Sequence, residues 1–136
     1  MSRRSAREAA MKLIFEYEVT GTLGMDTLYE MPDILKVNKL SEENIAYIDN
    51  IINSYGEFAA VIDDAIKKYS ISWNIDRISK VDLAILRLAF FEIICTDTPN
   101  SILVNEAVDM AKKYSSSKAP GYINGVIGGY LKENGS

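Results

Sequence analysis

The chain has 136 residues, 48% of them hydrophobic and 25% charged, which is the balance of one globular domain rather than a disordered or multi-domain protein. Histidine is absent and Cys95 is the single cysteine, which excludes His-based triads, Cys/His nucleophile pairs, Cys/His zinc sites and an intramolecular disulfide. The net charge of −4 is uneven: residues 1–12 carry Arg3, Arg4, Arg7 and Lys12 against Glu8, a local +3, leaving −7 on the remainder from eleven bases and eighteen acids. Ser2 or Ser5 can cap a first helix running to about Val19. Its apolar positions Ala6, Ala9, Ala10, Leu13, Ile14 and Tyr17 recur at helical spacing, and Thr20-Gly21-Thr22 ends it. Asp26 caps a short second segment over 27–31, stopped by Pro32. A third helix starts at Ser41, where Glu42 and Glu43 suit the positive end of the helix dipole, and buries Ile45, Ile48, Ile51, Ile52 and Tyr55. Gly56 is read as its end, and a fourth helix carries Phe58, Val61, Ile62, Ala65, Ile66 and Tyr69 on one face.

The polar connector 70–74 around Trp73 divides a single domain, 1–136, into an N-terminal half of about 1–70 and a C-terminal half of about 71–136. A fifth helix, from Asp76 or Ser79 to Cys95, is apolar nearly all round and is expected to be surrounded by other helices. Its most apolar stretch, 81–95, is interrupted by Asp82, Arg87 and Glu92 and is too short to span a bilayer. The basic N-terminus has no apolar segment behind it of the kind a secretion signal needs, so a cytoplasmic protein is expected. Thr98 as N-cap and Pro99 at the first helical position start a sixth helix to about Tyr114. Residues 115–117 form a polar loop, and Pro120 and Gly121 introduce a last helix through Leu131. No run alternates as a strand does. The expected fold is all-α, a bundle of about seven helices in two packed halves.

With histidine gone, carboxylates are the remaining acid–base candidates. Asp63 and Asp64 are adjacent, so on a helix they diverge by about 100° and do not share a site. Glu106 and Asp109 share a face and read as solvated, because no further ligand stands at suitable spacing. Gly125, Gly128 and Gly129 lack the Gly-Lys-Ser/Thr ending and the preceding strand of a phosphate loop, and read as small residues for helix packing. No enzyme emerges, and neither a cofactor nor a metal site. Arg87 and Glu92 interrupt a core helix, where a charge must reach solvent, find a partner or serve a ligand; the partnered role is the leading reading. Asn105 and Asn124 read as buried amides linking elements, and on that basis Asn105→Ala is expected to cost roughly 1–3 kcal/mol.

The N-terminal arginines are the best binding signal. Arg3 and Arg7 stand four apart on one helix face, and Arg4 lies beside Arg3. Guanidinium forks match phosphate oxygens bidentately, and a cluster of them gives salt-sensitive binding. An acidic body does not coat nucleic acid nonspecifically, yet one basic edge can hold a local stretch of phosphate. Tyr69, Tyr114 and Tyr122, at helix ends, can stack unpaired bases or pack half-buried.

The segments also form an ordered set. Arg3, Arg4, Ala6, Arg7, Glu8 and Ala9 resemble the arginine-rich opening of the NusB family of transcription antitermination factors. Trp73, Arg77, the run 81–89 and Glu92 resemble that family's central helix. Pro99, Val104 to Val108, Ala111, Lys112 and Tyr114 resemble its next helix, and Tyr122-Ile123-Asn124-Gly125-Val126 its closing motif. The likeness spans Arg3 to about Ile127. It implies an all-α fold of two small helical halves and a non-enzymatic protein that binds the single-stranded boxA element of ribosomal RNA leader transcripts. It does so jointly with the ribosomal protein NusE, within the RNA polymerase antitermination complex.

By the same resemblance, Arg3, Arg4 and Arg7 match RNA-binding arginines. Lys12, Tyr69, Arg87, Tyr114 and Tyr122 fall on or near that surface, and Phe15 and Asp82 match positions facing NusE. Some family members form homodimers through the RNA-binding face. Ser5 interrupts what is often a longer arginine run, which implies a gentler salt dependence. The alternatives are a helical protein-binding adaptor without RNA binding, or a NusB-like domain detached from an rRNA methyltransferase.

Overall fold

The computed structural model describes residues 2–21, 41–71 and 74–134. The expected segment around Asp26, 27–31 and Pro32 lies outside the described residues, as does Trp73. Within the described residues all regular structure is helical: α1 (Arg3–Thr20), α2 (Glu42–Tyr69), a 3-10 turn (Ile75–Arg77), α3 (Lys80–Cys95), α4 (Asn100–Tyr114) and α5 (Ala119–Asn134). The chain divides into two compact units, Met1–Glu57 and Phe58–Ser136. The all-α class is as expected, with five described α-helices in place of about seven.

Helix α1 begins where the Ser2 Oγ accepts the backbone N–H of Ser5 at 3.1 Å, satisfying one of the donors that a helix start leaves open. It ends at Gly21, whose φ of +77° places it in the left-handed region, with its N–H donating to the Tyr17 carbonyl at 2.8 Å. Glycine adopts that conformation without the clash a Cβ would bring. In the first unit α1 meets α2 at both ends: Arg3 reaches Asn44, and the Tyr17 ring stands edge-on to Tyr55 at 6.0 Å. The two helices therefore run in the same sense.

One expected boundary is wrong. Gly56 does not separate two helices; α2 runs through it for 28 residues. A glycine inside a helix costs only about 1 kcal/mol relative to alanine, and it does not break the hydrogen-bond ladder as proline does. The buried positions Asn44, Ile48, Ile51, Tyr55, Ile62 and Ile66 keep one helical phase across it, so burial outweighs the local cost. Glu42 and Glu43 in the first turn and Lys67 and Lys68 in the last turn complement the helix dipole.

In the second unit α3, α4 and α5 pack on one another. Every residue of 83–92 is buried, as an all-round apolar helix requires. The Ser79 Oγ caps α3 by accepting the Asp82 N–H at 3.1 Å. At α4 the expected cap is displaced by one residue: Pro99 itself is the N-cap, in an extended conformation (φ −54°, ψ 134°), and the helix starts at Asn100. The Thr98 N–H points instead to the Thr96 Oγ, and the Thr96 hydroxyl donates to the Glu92 carbonyl at 2.7 Å. Helix α5 begins at Ala119, ahead of Pro120, which is tolerated in a first turn whose N–H groups have no helical partner.

The two asparagines expected as buried links are both exposed. The buried stripe of α4 is Leu103, Ala107, Met110 and Ala111, and that of α5 is Ala119, Ile123, Val126 and Ile127, so Asn105 and Asn124 fall on the opposite faces. Asn105→Ala is accordingly expected to shift unfolding stability by no more than about 0.5 kcal/mol in a urea titration.

Candidate nucleic-acid interface

In the first unit, the sequence-predicted residues Arg3, Arg4, Arg7, Lys12 and Phe15 all lie on α1. Arg3 and Arg4 are exposed, whereas Arg7 keeps only 5% of its surface in solvent. The Arg3 Nε donates to the Asn44 Oδ1 at 3.0 Å, and its guanidinium sits 4.5 Å from the centre of the Tyr47 ring. Arg7 approaches the same ring at 5.9 Å. A cation over an aromatic face is attracted by the ring quadrupole, so Tyr47 draws two like charges onto one edge. The first turn of α1 contains no acid, and the helix dipole adds its positive end there. An arginine pair, an exposed neighbour and a helix N-terminus make a cationic edge whose side chains are partly ordered before any anion arrives.

The second unit holds Tyr69, Asp82, Arg87, Tyr114 and Tyr122. Tyr122 and Asp82 line one cavity of about 270 Å³ together with Arg77, Ser79, Ser116 and Lys118. The Tyr122 hydroxyl and the buried Ser70 hydroxyl form a 2.6 Å hydrogen bond. Burial pushes the Tyr122 phenol above its usual range and the Asp82 carboxylate adds to this, while the Ser70 bond opposes it. A raised folded value means stability that is whole below about pH 10 and is lost as pH rises through the folded pKa. Tyr122→Phe removes that titration, so the stability gap between wild type and variant should shrink above pH 10 in parallel urea titrations. The Asp82 carboxylate accepts the Ser115 hydroxyl at 2.6 Å, which fixes it at the rim of the cavity.

Arg87 is 8% exposed, and its Nε and Nη2 donate to the two carboxylate oxygens of Asp63 at 2.9 and 3.0 Å. The partnered reading of this core-helix charge is what the structure shows, and a bidentate pair leaves little of the fork for a phosphate. Asp64, one residue on, is exposed, as the divergence of adjacent helical residues requires. The three tyrosines are half-buried. Lys113 lies 5.3 Å from the centre of the Tyr114 ring. Among the glycines read as packing residues, Gly125 and Gly128 face open space and only Gly129 meets a neighbour, Tyr69. Among the described residues no group of three or more acids or cysteines is placed to hold a metal ion, and no helix is long and apolar enough to cross a membrane.

Comparison with known proteins decides what this arrangement belongs to. The family model described as the NusB family matches residues 4–132. The chain belongs to the NusB family. It is 46% identical over 132 residues to the transcription antitermination protein NusB of Natranaerobius thermophilus, covering 93% of this chain and 92% of that one. It is 38% identical over 136 residues to the protein of the same name from Alkaliphilus oremlandii, covering 99% and 96%. Among solved structures, T. maritima NusB superposes with a TM-score of 0.82 at 28% identity, covering 98% of this chain and 92% of that one. The fold is also that of a crystal structure of the antitermination factors NusB and NusE in complex with dsRNA, at TM-score 0.79 and 23% identity over 96% of each chain. NusB family proteins are named as transcription antitermination factors, not as enzymes.

For a NusB family member, several of the residues that shape these surfaces carry no signal of their own in the sequence. Asn44 and Tyr47, which hold the arginines, read there as ordinary residues of an amphipathic helix. Asp63 reads as one of two adjacent acids that diverge on a helix and share no site. Arg77 and Lys118 are charged loop-side residues 41 positions apart, and only folding brings them to one cavity.

Proposed function

We propose that this protein binds single-stranded boxA RNA of ribosomal RNA leader transcripts jointly with the ribosomal protein NusE, and so acts in the RNA polymerase antitermination complex of the cytoplasm. The observation that carries the reading is the cationic edge of α1: Arg3 braced by Asn44 and Tyr47, Arg7 over the same ring, and Arg4 exposed beside them. Arg3, Arg4 and Lys12 hold phosphates, with the buried Arg7 adding its charge behind them, which positions the RNA without reading its sequence. Tyr69, Tyr114 and Tyr122 take unstacked bases, where sequence choice arises. Arg87 supports this surface through Asp63 rather than touching phosphate. Phe15 and Asp82 face NusE, whose basic character complements the −7 remainder of the chain.

The test is binding of a short single-stranded boxA RNA and a scrambled control, with and without NusE, at two salt concentrations. Selective binding that NusE strengthens and salt weakens is expected. Replacing Arg3 and Arg4 together by alanine should reduce affinity at least about tenfold and flatten the salt slope by about 1.4, since each phosphate neutralised on a single strand contributes about 0.7. Equal binding of both RNAs, or none with NusE present, would leave a protein-binding adaptor instead. Asp82→Lys should weaken NusE binding while the fold stays intact by circular dichroism, at a melting temperature lowered by loss of the Ser115 bond, and unchanged affinity would remove Asp82 from that surface.

A further inference from the structure

The C-terminal end of α5 grips Tyr69 from several sides. The Tyr69 hydroxyl accepts the Asn134 Nδ2 at 3.0 Å, and the same amide nitrogen donates to the Tyr130 carbonyl at 2.9 Å. The Tyr69 ring meets the edge of Tyr130 at 5.7 Å, and Tyr130 in turn stands edge-on to the fully buried Phe90 at 5.0 Å. At Gly129 a Cβ would lie 3.3 Å from the Tyr69 Cδ1, so the ring occupies the space that the missing side chain leaves. Next to this, Lys68 and Glu133 form a 3.2 Å ion pair between the same two helix ends. A hydrogen bond from Tyr69, and then Lys68, hold the Glu133 carboxyl below its usual range.

We infer that Gly129, Tyr130 and Asn134 are positioning residues for RNA binding, setting the Tyr69 ring at the angle and depth at which its remaining surface takes a base. The inference rests on the proposed role of Tyr69 as a base platform and adds how the platform is held. A stacking surface is worth most when its ring is ordered before the base arrives, because the base then does not have to immobilise it. Gly129 is the sharpest of the three, since its contribution is an absence of atoms. Gly128, one residue away in the same helix and with nothing near its Cβ position, is a control with the same chemistry.

The experiment measures affinity of the NusE complex for single-stranded boxA RNA, melting temperature, and the Tyr69 ring-proton resonances by NMR. The variants are Gly129→Ala, Asn134→Ala, Gly128→Ala and Tyr69→Ala. Tyr69→Ala should weaken RNA binding about fivefold to a hundredfold, the range of a lost base–aromatic stack. Gly129→Ala and Asn134→Ala should each weaken it several-fold and move the Tyr69 resonances. Gly128→Ala should do neither. Gly128→Ala should melt no lower than wild type, because alanine favours the helix, whereas at Gly129 that gain is set against the displacement forced on the Tyr69 ring.

In the Tyr69→Ala background, Gly129→Ala should have no further effect on RNA affinity. Wild-type affinity in both Gly129→Ala and Asn134→Ala, alongside a weakened Tyr69→Ala, would overturn the positioning role and leave the base platform standing. Wild-type affinity in Tyr69→Ala would remove both. A full Gly129→Ala effect persisting in the Tyr69→Ala background would also overturn the inference, by showing that it acts elsewhere.

Discussion

Phe90→Ala is expected to lower unfolding stability by about 3–5 kcal/mol, the range for deleting a buried phenyl ring. Phe90 is fully buried in α3, the helix on which α4 and α5 pack, so the vacated volume is lined on several sides and cannot collapse cheaply. The variant also loses the edge-to-face contact with Tyr130, 5.0 Å between centroids at 88°, a pair of the kind that adds about 0.5–1.5 kcal/mol beyond area. For a chain of this length the loss corresponds to a fall in melting temperature of roughly 10–20 °C. Phe90→Leu keeps most of the volume and should cost about 1–1.5 kcal/mol. Urea unfolding followed by circular dichroism distinguishes them, and a loss below about 1 kcal/mol for Phe90→Ala would mean that the ring is not enclosed. Because Tyr130 leans on Phe90 and Tyr69 on Tyr130, the alanine variant should also weaken RNA binding at temperatures where it remains folded.

Asp63→Ala should cost about 2–4 kcal/mol. Removing one member of a buried ion pair strands the other, and the Arg87 side chain is only 10% exposed. The Asp63 side chain is 28% exposed, so part of its charge is already hydrated and the loss sits below the upper end for a wholly buried pair. Arg87→Lys keeps the charge but cannot make two parallel bonds to the carboxylate, and should cost about 1–2 kcal/mol. Replacing Asp63 and Arg87 together by leucine should recover most of the stability, since neither charge is then stranded. That double variant also separates the fold from the RNA surface. If it is stable and binds RNA as wild type, the pair serves the fold alone; if it is stable and binds weakly, the pair also serves the RNA surface.

The helix inventory was legible wherever local chemistry is decisive. Gly21 ends its helix as expected through its own φ, and Ser2 and Ser79, each one of two residues that the sequence offers as a start, act through their own hydroxyls; such effects span three or four residues. The enclosure of α3 followed from composition alone, since a helix with apolar residues on every side has nowhere to put them but inside. Gly56 was misread because local propensity favours a break there, while the stripe from Asn44 to Ile66 is long enough to override it. The cap at α4 slipped by one residue for a similar reason. Thr98 has the right hydroxyl, but the helix starts at Asn100, so Pro99 takes the cap position and no side chain caps it. Asn105 and Asn124 show the limit of pattern reading: an amide beside apolar residues lies on the buried face or off it according to a rotation of 100° per residue.

By itself the sequence determined the all-α class, several of the helix ends, the central buried helix, the basic edge on the first helix and, through four ordered motifs, membership of the NusB family. Each of these depends on neighbours within a few turns or on composition. Only the tertiary structure decided that Arg3 pairs with Asn44, Asp63 with Arg87, Ser70 with Tyr122 and Tyr69 with Asn134, separations of 41, 24, 52 and 65 residues. Those pairings depend on how helices cross and rotate against one another. Many charged and polar side chains compete for each partner, and helical periodicity says which face a residue occupies, not what that face meets.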